Sequence, residues 1–308
     1  MDLGELPALI ARHARPGTSE PVKGLFLSCD TEPGPPRLST TGAGFAVIAQ
    51  GAKQLTLGDQ IIVYGPGEYL LTSIDLPIVG RFTQATRDEP ALAFGMTLDP
   101  RTIAELLLSA NPPPARGPGN GAAVPALAVD RVSPALLDAV TRLLRLLDRP
   151  RDLPVLGPMV RREILWLLIT GPRGETVRQL GLADSKINDV ARAVRWLRDH
   201  ATEPMRVSDL ASQAGLSVSA FHRTFRAVTG SSPLQFQKQL RLQAARQLLL
   251  SGTGTVSQVA FDVGYESAAQ FNREYRRLFG SPPGRDRDSL AGELDARSRA
   301  RDLPAARP

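Results

Sequence analysis

Residues 207–229 read VSDLASQAGLSVSAFHRTFRAVT, and this stretch decides the fold of the carboxy-terminal part. Val207, Leu210, Ala211 and Ala214 recur at helical spacing and predict a short first helix. Ala211 is small enough for a close helix crossing, and Gly215 can take the positive φ of a three-residue turn. Ser217 is placed to cap a second helix, whose inner face carries Phe221 and Phe225 four residues apart. The opposite face presents Ser219, His222, Arg223 and Arg226, groups suited to base edges and phosphates in a major groove. This is a helix-turn-helix pattern.

The pattern occurs again at 256–279, VSQVAFDVGYESAAQFNREYRRLF, with Ala260 as the small residue, Gly264 at the turn and Ser267 as cap. Its second helix should turn Phe271, Tyr275 and Leu278 inward, leaving Gln270, Asn272, Arg273, Arg276 and Arg277 outside. Between the motifs, Pro233 opens a helical stretch to Leu250. Its ~18 residues would span about 27 Å, close to the ~34 Å repeat of a duplex, so two reading helices could enter successive major grooves. One such hairpin would fit an ordinary helical bundle; a tandem pair with matching anchors points to DNA. Arg223 and Arg273 are expected at base edges, Arg226 and Arg276 at phosphates.

Charge follows the same division. Residues 1–110 hold 8 Lys/Arg against 12 Asp/Glu, whereas residues 190–285 hold 13 against 6, and 12 of those 13 cations are Arg. An Arg-rich part joined to an acidic one implies a phosphate-bearing polymer, with a merely solvated basic surface as the alternative.

Upstream, GLFLS, GFAVIAQG, QIIVYG, EYLLTS and ALAFGMTL alternate with Gly, Pro and Asp between residues 20 and 98, which predicts short strands in a small barrel or sandwich. Asp99 and Pro100 then start a helix to Ala110. NPPPARGPGNGAAVP, residues 111–125, reads as a linker. Ser133 and Pro134 open another helix bearing Leu136, Leu137, Val140, Leu143, Leu144 and Leu147, followed by a second over about 155–170 that stops at Gly171–Pro172. These two helices should pack on each other, with a dimer contact through the leucines as the other reading. The expected organisation is a β-rich sensory or interaction domain (1–110), a linker (111–132), a helical connector (133–186), a tandem helix-turn-helix domain (187–285) and a disordered tail (286–308). The fold class is α+β, a small β barrel with flanking helices followed by an all-α part.

SDLASQAGLSVSAFHRTFRAVTGSSPLQFQKQLRL and VAFDVGYESAAQFNREYRRLFGSPP resemble the AraC/XylS family of transcription regulators. FAVIAQGAKQLTLGDQIIVYGPGEYLLTSIDLPIVG is similar to the amino-terminal domain of one branch of that family. The resemblance implies a two-lobed, seven-helix DNA-binding domain and a cupin-like sensory or oligomerisation domain. Ser219, His222 and Arg223 then fall at reading positions of the first helix, and Ala268, Ala269 and Arg273 at those of the second. Neither alanine can form a bidentate hydrogen bond, which leaves a thymine methyl contact there.

Catalysis finds no constellation. A metal-holding cupin needs clustered histidines, yet only His13, His200 and His222 occur and none lies in 20–98. Cys29 is the single cysteine, which excludes a disulfide framework or a Cys-rich zinc site and fits a reducing compartment. No cofactor, metal or membrane segment is expected, and the chain reads as a cytoplasmic regulator, an activator or a repressor. Double-stranded DNA is the expected partner, with RNA polymerase, a second copy of the chain and a small-molecule effector as further candidates. An effector would meet Lys53, Tyr64, Glu68, Tyr69, Ser73 or Asp75, each of which equally suits a turn or surface role; a pure interaction module is the alternative.

Overall fold

The apolar runs of the amino-terminal part become strands because each is short, rich in residues that fit a pleated surface, and closed by a turn former. The computed structural model describes residues 2–57, 60–110, 112, 124–182, 186–252 and 254–289. The expected linker lies mostly outside these residues, as does the tail from 290 onward; the described part of that linker is not a linker, since residues 127–131 pair as a strand with Glu68–Thr72. β1 (Gly17–Val22), β2 (Leu25–Asp30), β4 (Gly44–Gln50), β7 (Glu68–Thr72), β9 (Ala91–Thr97) and β10 (Leu127–Arg131) form one antiparallel sheet, ordered β1-β2-β9-β4-β7-β10. β3 (Arg37–Thr41), β5 (Ala52–Leu57), β6 (Gln60–Tyr64) and β8 (Leu76–Gln84) form a second, ordered β3-β8-β5-β6. The β-rich domain expected from the sequence is present, and its strands divide between two sheets rather than closing into a single barrel.

Helices cover one face of the larger sheet. They are α1 (Leu6–His13), α2 (Pro100–Ala110), α3 (Pro134–Arg145), α4 (Leu153–Thr170) and α5 (Gly174–Gly181). Asp99 accepts from the amides of Arg101 and Thr102, and Ser133 from that of Leu136, so both predicted caps form. One apolar cluster runs from Leu25, Phe45 and Phe94 of the sheet through Leu136, Val140, Leu143 and Leu144 of α3 to Leu165 of α4 and Val177 of α5. The leucine face of α3 therefore does not serve as a dimer contact. It is consumed inside the chain's own core, where burying each leucine is worth about 1.5–3 kcal/mol.

By its contacts the chain divides into two units, the first comprising residues 1–196 and 207–233, the second 197–206 and 234 onward. α6 (Lys186–Asp199) and α9 (Pro233–Leu250) each contribute to both. The first unit also holds α7 (Val207–Gln213) and α8 (Val218–Thr229); the second holds α10 (Val256–Asp262), α11 (Ala268–Phe279) and a helical segment over 283–289. Within the first unit, Ala126 is fully buried and joins sheet to helix: its carbonyl accepts from the Ser73 amide at 2.8 Å, and its own amide donates to the Val228 carbonyl of α8 at 2.8 Å.

Candidate nucleic-acid interface

The first motif assembles as its residues require. Leu210, Ala211 and Ala214 are buried, Gly215 adopts φ +67°, and the Ser217 hydroxyl accepts from the Ala220 amide at 3.3 Å. Phe221 and Phe225 are fully buried with ring centroids 5.5 Å apart, which fixes the rotation of α8 about its axis. Ser219, Arg223 and Arg226 consequently lie exposed on the outer face, and His222 is half-buried beside them. Thr229, at the end of α8, is fully buried; its hydroxyl donates to the Phe225 carbonyl at 2.8 Å and accepts from the Ser231 amide at 3.3 Å.

The second motif repeats this geometry on different supports. Val259 and Ala260 are buried in α10, Gly264 adopts φ +86°, and Ser267 accepts from the Gln270 amide at 3.4 Å. Glycine is required at 264 for a second reason, since a Cβ there would stand 2.8 Å from the Thr202 carbonyl oxygen and 2.9 Å from the Arg241 guanidinium carbon. Phe271, Tyr275 and Phe279 form the inner face of α11; Leu278, expected there, is only half-buried. The stripe runs at four-residue spacing, so Phe279 displaces Leu278 from the core. Asn272, Arg273 and Arg276 are exposed, whereas Gln270 is half-buried and donates to Glu274 at 3.1 Å.

The basic excess splits into two populations. Arg241 donates to the carbonyls of Ala201 (2.7 Å), Gly264 (2.8 Å) and Glu203 (3.1 Å), tying α9 to the turn of the second motif. Arg246 forms a two-pronged pair with Asp286 at 2.8 and 3.1 Å, both side chains under 10% exposed, and stacks 4.6 Å over the Phe279 ring. Tyr275 donates to the same carboxylate at 2.7 Å, and burial followed by this hydrogen bond pushes its hydroxyl pKa far up. Lys238 pairs with Glu274 at 2.9 Å. Among the described residues, the side chains of Arg223, Arg226, Arg273 and Arg276 have no such partner. Three of the eight cations on α8, α9 and α11 are thus structural, and the four unpaired arginines just named sit on the two predicted reading faces.

Sequence reasoning missed Asp286 entirely. Residues 286–289, expected to begin a disordered tail, are helical, and Asp286 is 6% exposed. Its text, GRDRDS, alternates charge like a solvated tail; the partner that draws it inward lies 40 residues away. A buried acid of this kind carries no local signal.

The expected effector contacts separate. Lys53 lines a cavity of about 140 Å³ together with Asp30, Arg37 and Arg81, and its ammonium lies 5.0 Å over the Phe82 ring. Burial lowers the Lys53 pKa, against the opposing pull of Asp30. Tyr64, Tyr69 and Ser73 are instead buried in the fold, and Glu68 accepts from the Gly65 amide in a turn. Asp75 is half-buried and lines no part of this cavity. The structure does not bring the six into one site.

Comparison with known proteins places both halves. A family model described as AraC-type transcriptional regulator N-terminus matches residues 21–176, and one described as helix-turn-helix domain matches residues 210–289. The chain is 31% identical over 155 residues to the HTH-type transcriptional activator RhaS of Salmonella typhimurium; the match spans 50% of this chain and 55% of the relative. In fold it is similar to apo ToxT from Vibrio cholerae strain SCE256, at a TM-score of 0.52 and 9% identity over 89% of this chain and 98% of that one. A second ToxT structure, from strain O395 bound to (E)-4-(8-methylnaphthalen-1-yl)but-3-enoic acid, gives 0.51 at 9% identity over 87% and 98%.

Proposed function

This chain belongs to the AraC-type transcriptional regulators, and from that premise we propose that it binds double-stranded DNA sequence-specifically and regulates transcription, with α8 and α11 entering successive major grooves. The observation that carries the reading is the segregation of unpaired Arg223, Arg226, Arg273 and Arg276 onto the outer faces of two capped, aromatic-anchored helices. Arg223 and Arg273 read base edges, Arg226 and Arg276 contact phosphates, and Ser219, His222, Gln270 and Asn272 flank them. Gln270 contributes only after it releases Glu274. α9 runs without a break over the 18 residues Pro233–Leu250 between the two motifs.

Residues 21–176 serve as the signal receiver, in keeping with the acid bound by the similarly folded ToxT, and couple to α8 through Ala126. The activator name of RhaS supports activation, for which RNA polymerase and a second copy of the chain are the further partners. The chain acts in the cytoplasm and catalyses no reaction. Genome-wide occupancy mapping followed by gel shifts tests this reading. Binding to an enriched sequence at least 10³ tighter than to random DNA at one salt concentration supports it. Equal affinity for both contradicts it.

A further inference from the structure

A second, larger cavity, of about 470 Å³, lies in the first unit beside the β1–β2 turn, and no residue of α7, α8, α10 or α11 lines it. Leu153, Gly157, Arg161 and Leu165 face it from α4 at four-residue spacing, so one helical face forms its wall. Val22 and Met96 supply apolar surface opposite. Its volume suits a small organic molecule and far exceeds what a bare ion needs.

The polar groups of this cavity are unequal. Arg162 is neutralised by Glu105 at 3.2 Å. Asp99 accepts from the Thr102 hydroxyl at 2.6 Å and from two amides at the start of α2, so its charge is already matched. Arg161 differs. It is half-buried, donates Nη2 to the Lys23 carbonyl at 3.0 Å, and among the described residues forms no salt bridge, Asp99 across the same cavity being engaged by α2. Burial lowers its pKa, the mark of a cation whose solvation has been removed without an anion in return. Gly24 leaves room for this guanidinium: at φ +74° a Cβ would stand 2.5 Å from the Thr97 hydroxyl and 3.2 Å from Arg161 Nη1.

We propose that this cavity binds a small organic monocarboxylate with an apolar body, its carboxylate on the guanidinium of Arg161 and its body against Val22, Met96, Leu153 and Leu165. The site deepens the receiver reading of residues 21–176 and rests on it only for the regulatory consequence of binding. A guanidinium offers a carboxylate paired N–H donors, and the apolar walls favour a hydrocarbon body over a fully hydrated anion.

The test uses the full chain without DNA, so a failure to bind DNA bears on the proposed function and leaves this site untouched. Sodium benzoate and sodium hexanoate are titrated while thermal unfolding and calorimetric heat are followed, with benzamide as the uncharged counterpart and inorganic phosphate as the bare anion. The expected result is a saturable rise in Tm with at least one carboxylate and none with benzamide or phosphate. Arg161→Met should weaken that binding at least tenfold, and Arg161→Lys should restore part of it. Because Arg161→Met could unfold the chain, ¹⁵N-arginine spectra of the unaltered protein provide a second readout, in which benzoate should shift one guanidinium resonance. Absence of saturable binding by both carboxylates, an equal response to benzamide or phosphate, or full binding in a folded Arg161→Met variant overturns the proposal.

Discussion

The two helix-turn-helix motifs share one grammar and differ in what holds them. In both, a small residue allows the helix crossing, a glycine takes the turn, a serine caps the second helix and aromatic residues fix its inner face. The first is supported by neutral contacts: Thr229 closes the end of α8 by hydrogen bonds, and Val228 accepts from Ala126 at the rim of the sheet. The second is supported by charge, with Arg246, Asp286 and Tyr275 joined in its interior and Arg241 clasping its turn. A capped, aromatic-anchored helix can thus be kept while the scaffold behind it changes, and changes to the two scaffolds should be felt differently.

The largest effect is expected at the charged support. Asp286→Ala leaves Arg246 buried without its carboxylate and should destabilise the fold by about 3–5 kcal/mol in urea unfolding. Thr229→Val, which removes the corresponding neutral support of the first motif, should cost about 1 kcal/mol. Equal losses would erase the contrast between the scaffolds.

Binding should show a different contrast, within each reading face. Arg223→Ala should lose about 1–3 kcal/mol on the preferred sequence and relax the preference at one base pair. Arg276→Ala should weaken specific and random DNA alike and reduce the slope of log affinity against log salt by about one. Gel shifts at several salt concentrations separate the two; a purely uniform loss for Arg223→Ala would move that residue to the phosphates.

Smallest is a pH effect confined to the second motif. Burial opposes ionisation of Glu274, but hydrogen bonds from Lys238, Gln270 and Tyr265 outweigh it and hold its pKa below the usual value of about 4.5. A carboxyl with a depressed folded pKa stabilises the fold above its unfolded value, and that contribution fades as pH falls through the folded one. Unfolding measured between pH 6 and pH 3 should therefore show a steeper loss for the unaltered chain than for Glu274→Gln. Parallel curves would mean that the cluster around Glu274 contributes no ionic stabilisation.

Local chemistry made the motifs legible in the sequence. Gly215, Gly264, Ser217 and Ser267 act on neighbours within a few residues, and periodic apolar positions report which face of a helix is buried. Strands and caps upstream were readable for the same reason. Long-range partners were not. Asp286 looks solvated until Arg246 is found, the leucines of α3 look free until the sheet is placed over them, and Arg241 counts as a surface cation until its carbonyl partners are seen. Net charge located the basic part of the chain but overstated its unpaired cations. The Leu278 to Phe279 exchange shows how little separates an inner from an outer position when both candidates are apolar.

Base-by-base substitution of the preferred sequence, measured with the unaltered chain, Arg223→Ala and Arg273→Ala, addresses the two reading faces most directly. Each variant should lose discrimination at its own cluster of base pairs, the clusters lying about one helical turn, ~10 base pairs, apart. Loss at the same base pairs in both variants, or at none in either, would contradict that expectation.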